Sequence, residues 1–248
     1  MALVPEHSGD LPWLTTEQSR EVRRAMVEEL GISPLQMIEN AGRCTADLVR
    51  RRCLGTDPRG SHVTALVGSG GKASVVMAAA RRLACWGSDV SVRLMKPIGE
   101  LDGPALHQAS TLRAMGMRLE VGTPEAPRGD DLIIDGIIGC GLDGPPRGRA
   151  AESIEWINER LAPVLCIEVP SGLDCVSGEM LRPIVRAGGT LALGLPNVIL
   201  RSPTVRDIIG ELYLADIGVP PELYARDPLN MDVNPIFAVC DLLRIEAG

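Results

Sequence analysis

The feature that most constrains this chain is a rhythm of short aliphatic runs, each followed by a glycine-bearing turn and then a helical segment. HVTALV at 62–67 is followed by GSGGK and an alanine-rich stretch over 73–86. DVSVRL at 89–94 precedes a helical pattern over 103–115, and DLIID at 131–135 precedes a glycine loop and a helical pattern over 151–161. Further strands are expected at 117–121, 164–168, 190–193 and 211–215. Strands alternating with helices of that length predict an α/β fold with a mostly parallel, doubly wound sheet. Two helices should precede the first strand. TTEQ at 15–18 and SPLQ at 33–36 are both capping-box patterns, predicting helices that run to about Leu30 and about Cys53. The MIENAG stretch supplies a small-residue face for close helix packing. Residues 1–14 read as a mobile lead-in and 15–248 as one domain; the tail after Pro220 reads as irregular with one short helix.

Composition narrows the partners. A net charge of −7 argues against nucleic acid as the main partner, because phosphate binding needs a basic footprint. No apolar run reaches about 18 residues, so no membrane span is expected. The first residues lack a basic and then apolar leader pattern, and the seven cysteines contain no C-x-x-C pair. The reading is a cytoplasmic protein with reduced thiols. Three histidines without ligand spacing argue against zinc.

In a parallel sheet the strand C-termini share one edge, and three glycine-bearing loops should meet there: 68–74, 136–147 and 170–178. Asp135 and Glu168 end two of the strands. Converging carboxylates, hydroxyls and backbone amides suit a polar, phosphorylated small molecule. The first loop fails as a Walker motif, because Leu66 stands where its first glycine belongs and Ala73 where Ser or Thr belongs. Gly68-x-Gly70-x-x-Ala73 matches a dinucleotide fingerprint, but the next strand does not end in the confirming acid. Ser171 has no G-x-S-x-G context.

Five separated motifs, in order, resemble the NAD(P)HX epimerase family, the YjeF N-terminal domain. They are LTTEQSREVRRAMVEELGI, MIENAG, DLIIDGIIGCGLDGPPRG, IEVPSGLDCVSGE and GELYLADIGVP. The resemblance implies a three-layer Rossmann-like fold, a homodimer, and interconversion of the R and S epimers of NADHX and NADPHX. It also implies a potassium ion near the site. Carried over by motif, Asp135 is a catalytic group and cation ligand, and Ser171 is a second cation ligand. Substrate binding falls to Asn40, to the loop Gly139, Cys140, Gly141, Leu142, Asp143, Gly144 and Pro145, and to Glu168. The first loop, Gly68, Ser69, Gly70, Gly71 and Lys72, joins them. This loop departs from the family pattern GNNGGDG: it reads GSGGKAS, with Lys72 adding a charge that can attract a phosphate or displace potassium. Glu168 stands where the family has Asp, and Asn197 falls where a family Lys is expected. The alternative reading is a catalytically divergent nucleotide- or small-ligand-binding module, or a dimeric scaffold, on the same fold.

Overall fold

The computed structural model describes residues 4–124 and 129–246. Helices α1 (Thr16–Glu28) and α2 (Pro34–Leu48) open the fold. Both capping boxes form: Gln18 N donates to Thr15 Oγ1 at 3.1 Å, and Ser33 N donates to Gln36 Oε1 at 2.7 Å. The long helix expected to reach Cys53 gives way to a π-helical turn, Val49–Cys53. Then β1 (His62–Val67), α3 (Gly71–Cys85), β2 (Asp89–Leu94), α4 (Gly103–Ala114), β3 (Leu119–Val121), β4 (Leu132–Gly136) and α5 (Arg149–Asn158) alternate. Strands β5 (Val164–Ile167), β6 (Gly189–Leu193), β7 (Glu211–Ala215) and β8 (Leu242–Ile245) complete the sheet, with short helices α6 (Arg206–Ile209) and α7 (Pro221–Tyr224) beside them.

The eight strands run in the order β3-β2-β1-β4-β5-β6-β7-β8. All neighbours are parallel except β7 and β8. The expected irregular tail therefore corrects to a tail that returns as an antiparallel edge strand. The lead-in differs too. His7 N donates to Arg244 O at 2.9 Å and Arg244 N to Pro5 O at 2.8 Å, so these residues lie along β8; residues 1–3 are outside the described residues.

Alternation along the strands sends side chains to two cores. Ala65, Val67, Leu132 and Ile134 meet α2, α3 and α4 on one face, whereas Leu66, Ile133 and Cys166 meet Ile154 and Ile157 of α5 on the other. The result is three layers with an aliphatic centre. The small-residue face of α2 does what its composition predicts. A Cβ at Gly42 would lie 2.6 Å from Ala78 Cβ of α3, so only glycine permits this helix contact. Strand order reverses between β1 and β4, and a crevice at their C-terminal ends is where an open α/β sheet binds ligands.

Candidate active site

A cavity of about 640 Å³ opens at that edge. Its polar wall includes Ser69 and Gly70 from the β1–α3 loop, Gly71 and Lys72 from the first turn of α3, Gly139, Cys140 and Gly141 from the β4–α5 loop, and Glu168 after β5. Helix α1 supplies Thr16, Ser19, Arg20 and Arg23, and Asn197 stands behind them. Apolar side chains, among them Ile38, Val75, Ile137 and Leu195, form the rest. Two of the three expected loops line this wall; the third, 170–178, contributes no lining residue and meets the other two through Ser171, which bonds Lys72 and Ile138.

Beneath the wall lies a buried charged cluster. Asp135, at the end of β4, is fully buried, and each of its oxygens is engaged. Oδ1 accepts from Ser171 Oγ at 2.6 Å and from Ile137 N at 3.1 Å. Oδ2 accepts from Lys72 Nζ at 2.9 Å, Ser171 N at 2.9 Å and Cys166 Sγ at 3.1 Å. Burial pushes the Asp135 carboxyl upward, but the Lys72 ammonium beside it and the hydrogen bonds from Lys72, Ser171 and Ile137 outweigh that, holding it below the usual carboxylate value. The ion pair thus reverses the rise that burial alone would give. Burial, and after it the same carboxylate, pushes the Cys166 thiol well up.

Lys72 occupies the first turn of α3, and its side chain, 3% exposed, reaches the buried Asp135. Besides Asp135, Nζ donates to Val169 O at 2.7 Å, Ile138 O at 3.1 Å and Ser171 Oγ at 3.1 Å. Asp135 and Ser171, the two expected potassium ligands, thus both face an ammonium group. Among the described residues no cluster of three or more His, Cys, Asp or Glu suits a metal ion.

Glu168 is the carboxylate that reaches the cavity. Its backbone has φ +68°, a left-handed value uncommon for a residue with a Cβ. Such outliers cost about 1–3 kcal/mol and concentrate at functional sites. Its side chain is half-buried and paired loosely with Arg23, Nη1 to Oε1 being 3.6 Å. A Cβ at Gly139 would stand 2.5 Å from Glu168 Oε2, so glycine lets the loop pass against the carboxylate.

Other expected site residues lie elsewhere. Leu142, Asp143, Gly144 and Pro145 are not on the cavity wall, and Asp143 and Pro145 face solvent. Gly68 is buried behind the wall, and Asn40 is exposed on α2 beside Gly218. Glu39 binds Arg81, Arg82 and Gln108, joining α2 to α3 and α4. Cys140 is not a free thiol: it is joined to Cys175, correcting the expectation of reduced cysteines throughout. The contributions of α1 were missed. Arg20 and Arg23 are spaced i, i+3 on one helix face, a pattern indistinguishable in sequence from ordinary surface. Thr16 Oγ1 donates to Cys175 O at 2.7 Å and accepts from Asn197 Nδ2 at 3.1 Å, fixing the start of α1 over the cavity.

Comparisons with known proteins agree with this architecture. The family model for the YjeF-related protein N-terminus matches residues 34–198. The chain is 37% identical to an NAD(P)H-hydrate epimerase of Dehalogenimonas lykanthroporepellens over 91% of this chain and 89% of that protein. It is 31% identical to an NAD(P)H-hydrate epimerase of Rhodopirellula baltica, over 86% of this chain and 87% of the other. The crystal structure of yeast ynu0, YNL200c, superposes with a TM-score of 0.78 at 18% identity, covering 94% of this chain and 100% of that one; at that identity it speaks to the fold alone. By sequence, the chain belongs to the YjeF-related N-terminal family.

Proposed function

We propose that this chain is an NAD(P)H-hydrate epimerase that interconverts the R and S forms of NADHX and NADPHX. The observation that carries the reading is the pairing of an anion-binding helix start with a strained carboxylate in one cavity, in a chain 37% identical to a protein of that name. No side chain caps α3, so its first N–H groups, at Gly70, Gly71, Lys72 and Ala73, are free to cradle a diphosphate. Arg20 and Arg23 add positive charge in a protein of net charge −7.

The reacting centre is a carbon bearing a hydroxyl beside a ring nitrogen. Its C–O bond breaks as the nitrogen lone pair forms C=N and a proton reaches the departing oxygen. Water then adds to the opposite face and returns a proton. We assign that proton transfer to Glu168, the carboxylate on the cavity wall. Asp135 supports it from below by fixing Lys72 and Ser171. Potassium does not fit the residues present, since Lys72 Nζ already lies against Asp135 and Ser171. The family resemblance also supports a homodimer in the cytoplasm, which size-exclusion chromatography and cell fractionation test.

The direct assay mixes purified protein with R-NADHX and follows the approach to the S epimer. A rate equal to that in buffer refutes the reading. The changed GSGGKAS loop favours one alternative, a binding module on the same fold, which calorimetry would report as nucleotide binding without turnover.

A further inference from the structure

Lys72 Nζ has four oxygen neighbours of three chemical kinds: a carboxylate from Asp135, a hydroxyl from Ser171, and backbone carbonyls from Ile138 and Val169. The Ser171 hydroxyl has one proton and lies closest to Asp135 Oδ1, so toward Lys72 it presents a lone pair. An ammonium group has three protons. Four acceptors converging on three protons describe a cation held in an oxygen nest, not one directional hydrogen bond. Carbonyl oxygens of this kind replace the water shell of a monovalent cation where proteins bind one. Two of the oxygens belong to the loop after β4 and the segment after β5, and the positive charge arrives from the start of α3, directly after the β1 loop. The point where the three loops meet is the point where the charge sits.

The placement has two costs. A lysine whose side chain is 3% exposed has given up its water, and a cation in the first turn of α3 opposes the helix dipole. Neither cost is needed merely to fill space, since an aliphatic side chain would do so more cheaply. Both follow if positive charge at this point is what the loops require.

We propose that Lys72 is a tethered cation: its ammonium takes the place of a monovalent metal ion in the oxygen nest, and the site is organised without added potassium. Lys72 is on this view a positioning residue. It draws Ile138 O and Val169 O together, and those carbonyls flank Gly139 and Glu168 at the cavity. A tethered charge is present at high local concentration whatever the salt, so the nest is filled in every buffer. The activity arm of the test rests on the epimerase reading; the binding arm does not.

The test uses the full chain, exchanged into choline chloride. The melting temperature is followed as KCl replaces choline chloride at constant ionic strength, for the wild type and for Lys72→Ala. The wild type is expected to show no potassium dependence. Lys72→Ala is expected to melt lower in choline and to recover saturably, by about 5 °C, as KCl is added. A saturable potassium response in the wild type overturns the proposal. So does a folded Lys72→Ala that melts identically in both salts, because the oxygens would then hold an ordinary ion pair and form no cation site. If Lys72→Ala fails to fold, the wild-type titration decides. Wild-type epimerisation should also agree within about twofold between the two salts. A protein that melts as expected but does not epimerise NADHX refutes the epimerase reading and leaves the tethered cation standing.

Discussion

Lys72 Nζ lies 2.9 Å from Asp135 Oδ2, and the two side chains are 3% and 0% exposed, so this ion pair is sealed from solvent. Removing either partner strands the other charge in the interior. Lys72→Met and Asp135→Asn should each lower stability by about 3–5 kcal/mol in urea unfolding. The double variant should lose at least about 1 kcal/mol less than the sum of the two. Additive losses would mean that the two groups act separately.

Glu168 separates stability from chemistry. Its φ of +68° suits glycine, so Glu168→Gly should leave the melting temperature unchanged or raise it while removing the cavity carboxylate. The epimerisation rate should fall by about 10²-fold or more. Retained activity in this variant would move the proton transfer to another group.

Arg20 and Arg23 line the cavity from α1. Alanine at either position should raise KM for NADPHX with little change in kcat, and the effect should shrink as salt is added. An equal fall in kcat and kcat/KM would instead place the arginine at the reacting centre.

Cys140 and Cys175 close a loop with a sequence separation of 35. Thiol titration of the oxidised, denatured protein should count the five free cysteines, Cys44, Cys53, Cys85, Cys166 and Cys240. Reduction should raise the count by two and lower stability by up to about 4 kcal/mol. Seven reactive thiols before reduction would show the pair to be open in solution.

Glu39 gives an acid-side prediction. Burial alone would raise its carboxyl, but Gln108 and Arg81 outweigh that and hold it below the ordinary value. A depressed folded-state pKa means that the stabilisation is complete above the unfolded value of about 4.3 and fades as pH falls through the folded value. With about a third of the side chain exposed, solvent screening limits the effect to about 1 kcal/mol. Glu39→Gln should remove that part of the acid limb and leave neutral-pH activity intact.

The strands that were legible were aliphatic runs bounded by turns; HVTALV, DVSVRL and ELYLA match β1, β2 and β7 residue for residue, although β2 is only partly buried. LLRI was not legible. Four residues after a proline-rich stretch give too short a run to show a period, and its strand character comes from pairing with β7. At the site, Asp135 was legible as a strand-end acid and Lys72 as an added charge. Their meeting was not, because it joins positions 63 residues apart, and Ser171 reaches the same carboxylate across 36. Asp135 is buried within β4 and paired with Lys72, and the carboxylate on the cavity wall is Glu168.

The bonds between Pro5 and Arg244 bring the two ends of the described chain side by side on one sheet edge. Order along the polypeptide is therefore separable from order in space. A short linker from Glu246 to Val4, with a new opening at solvent-exposed Leu161, would give a circularly permuted protein. Its β1, β4 and β5 loops would still converge, because adjacency in the sheet, not sequence order, brings them together.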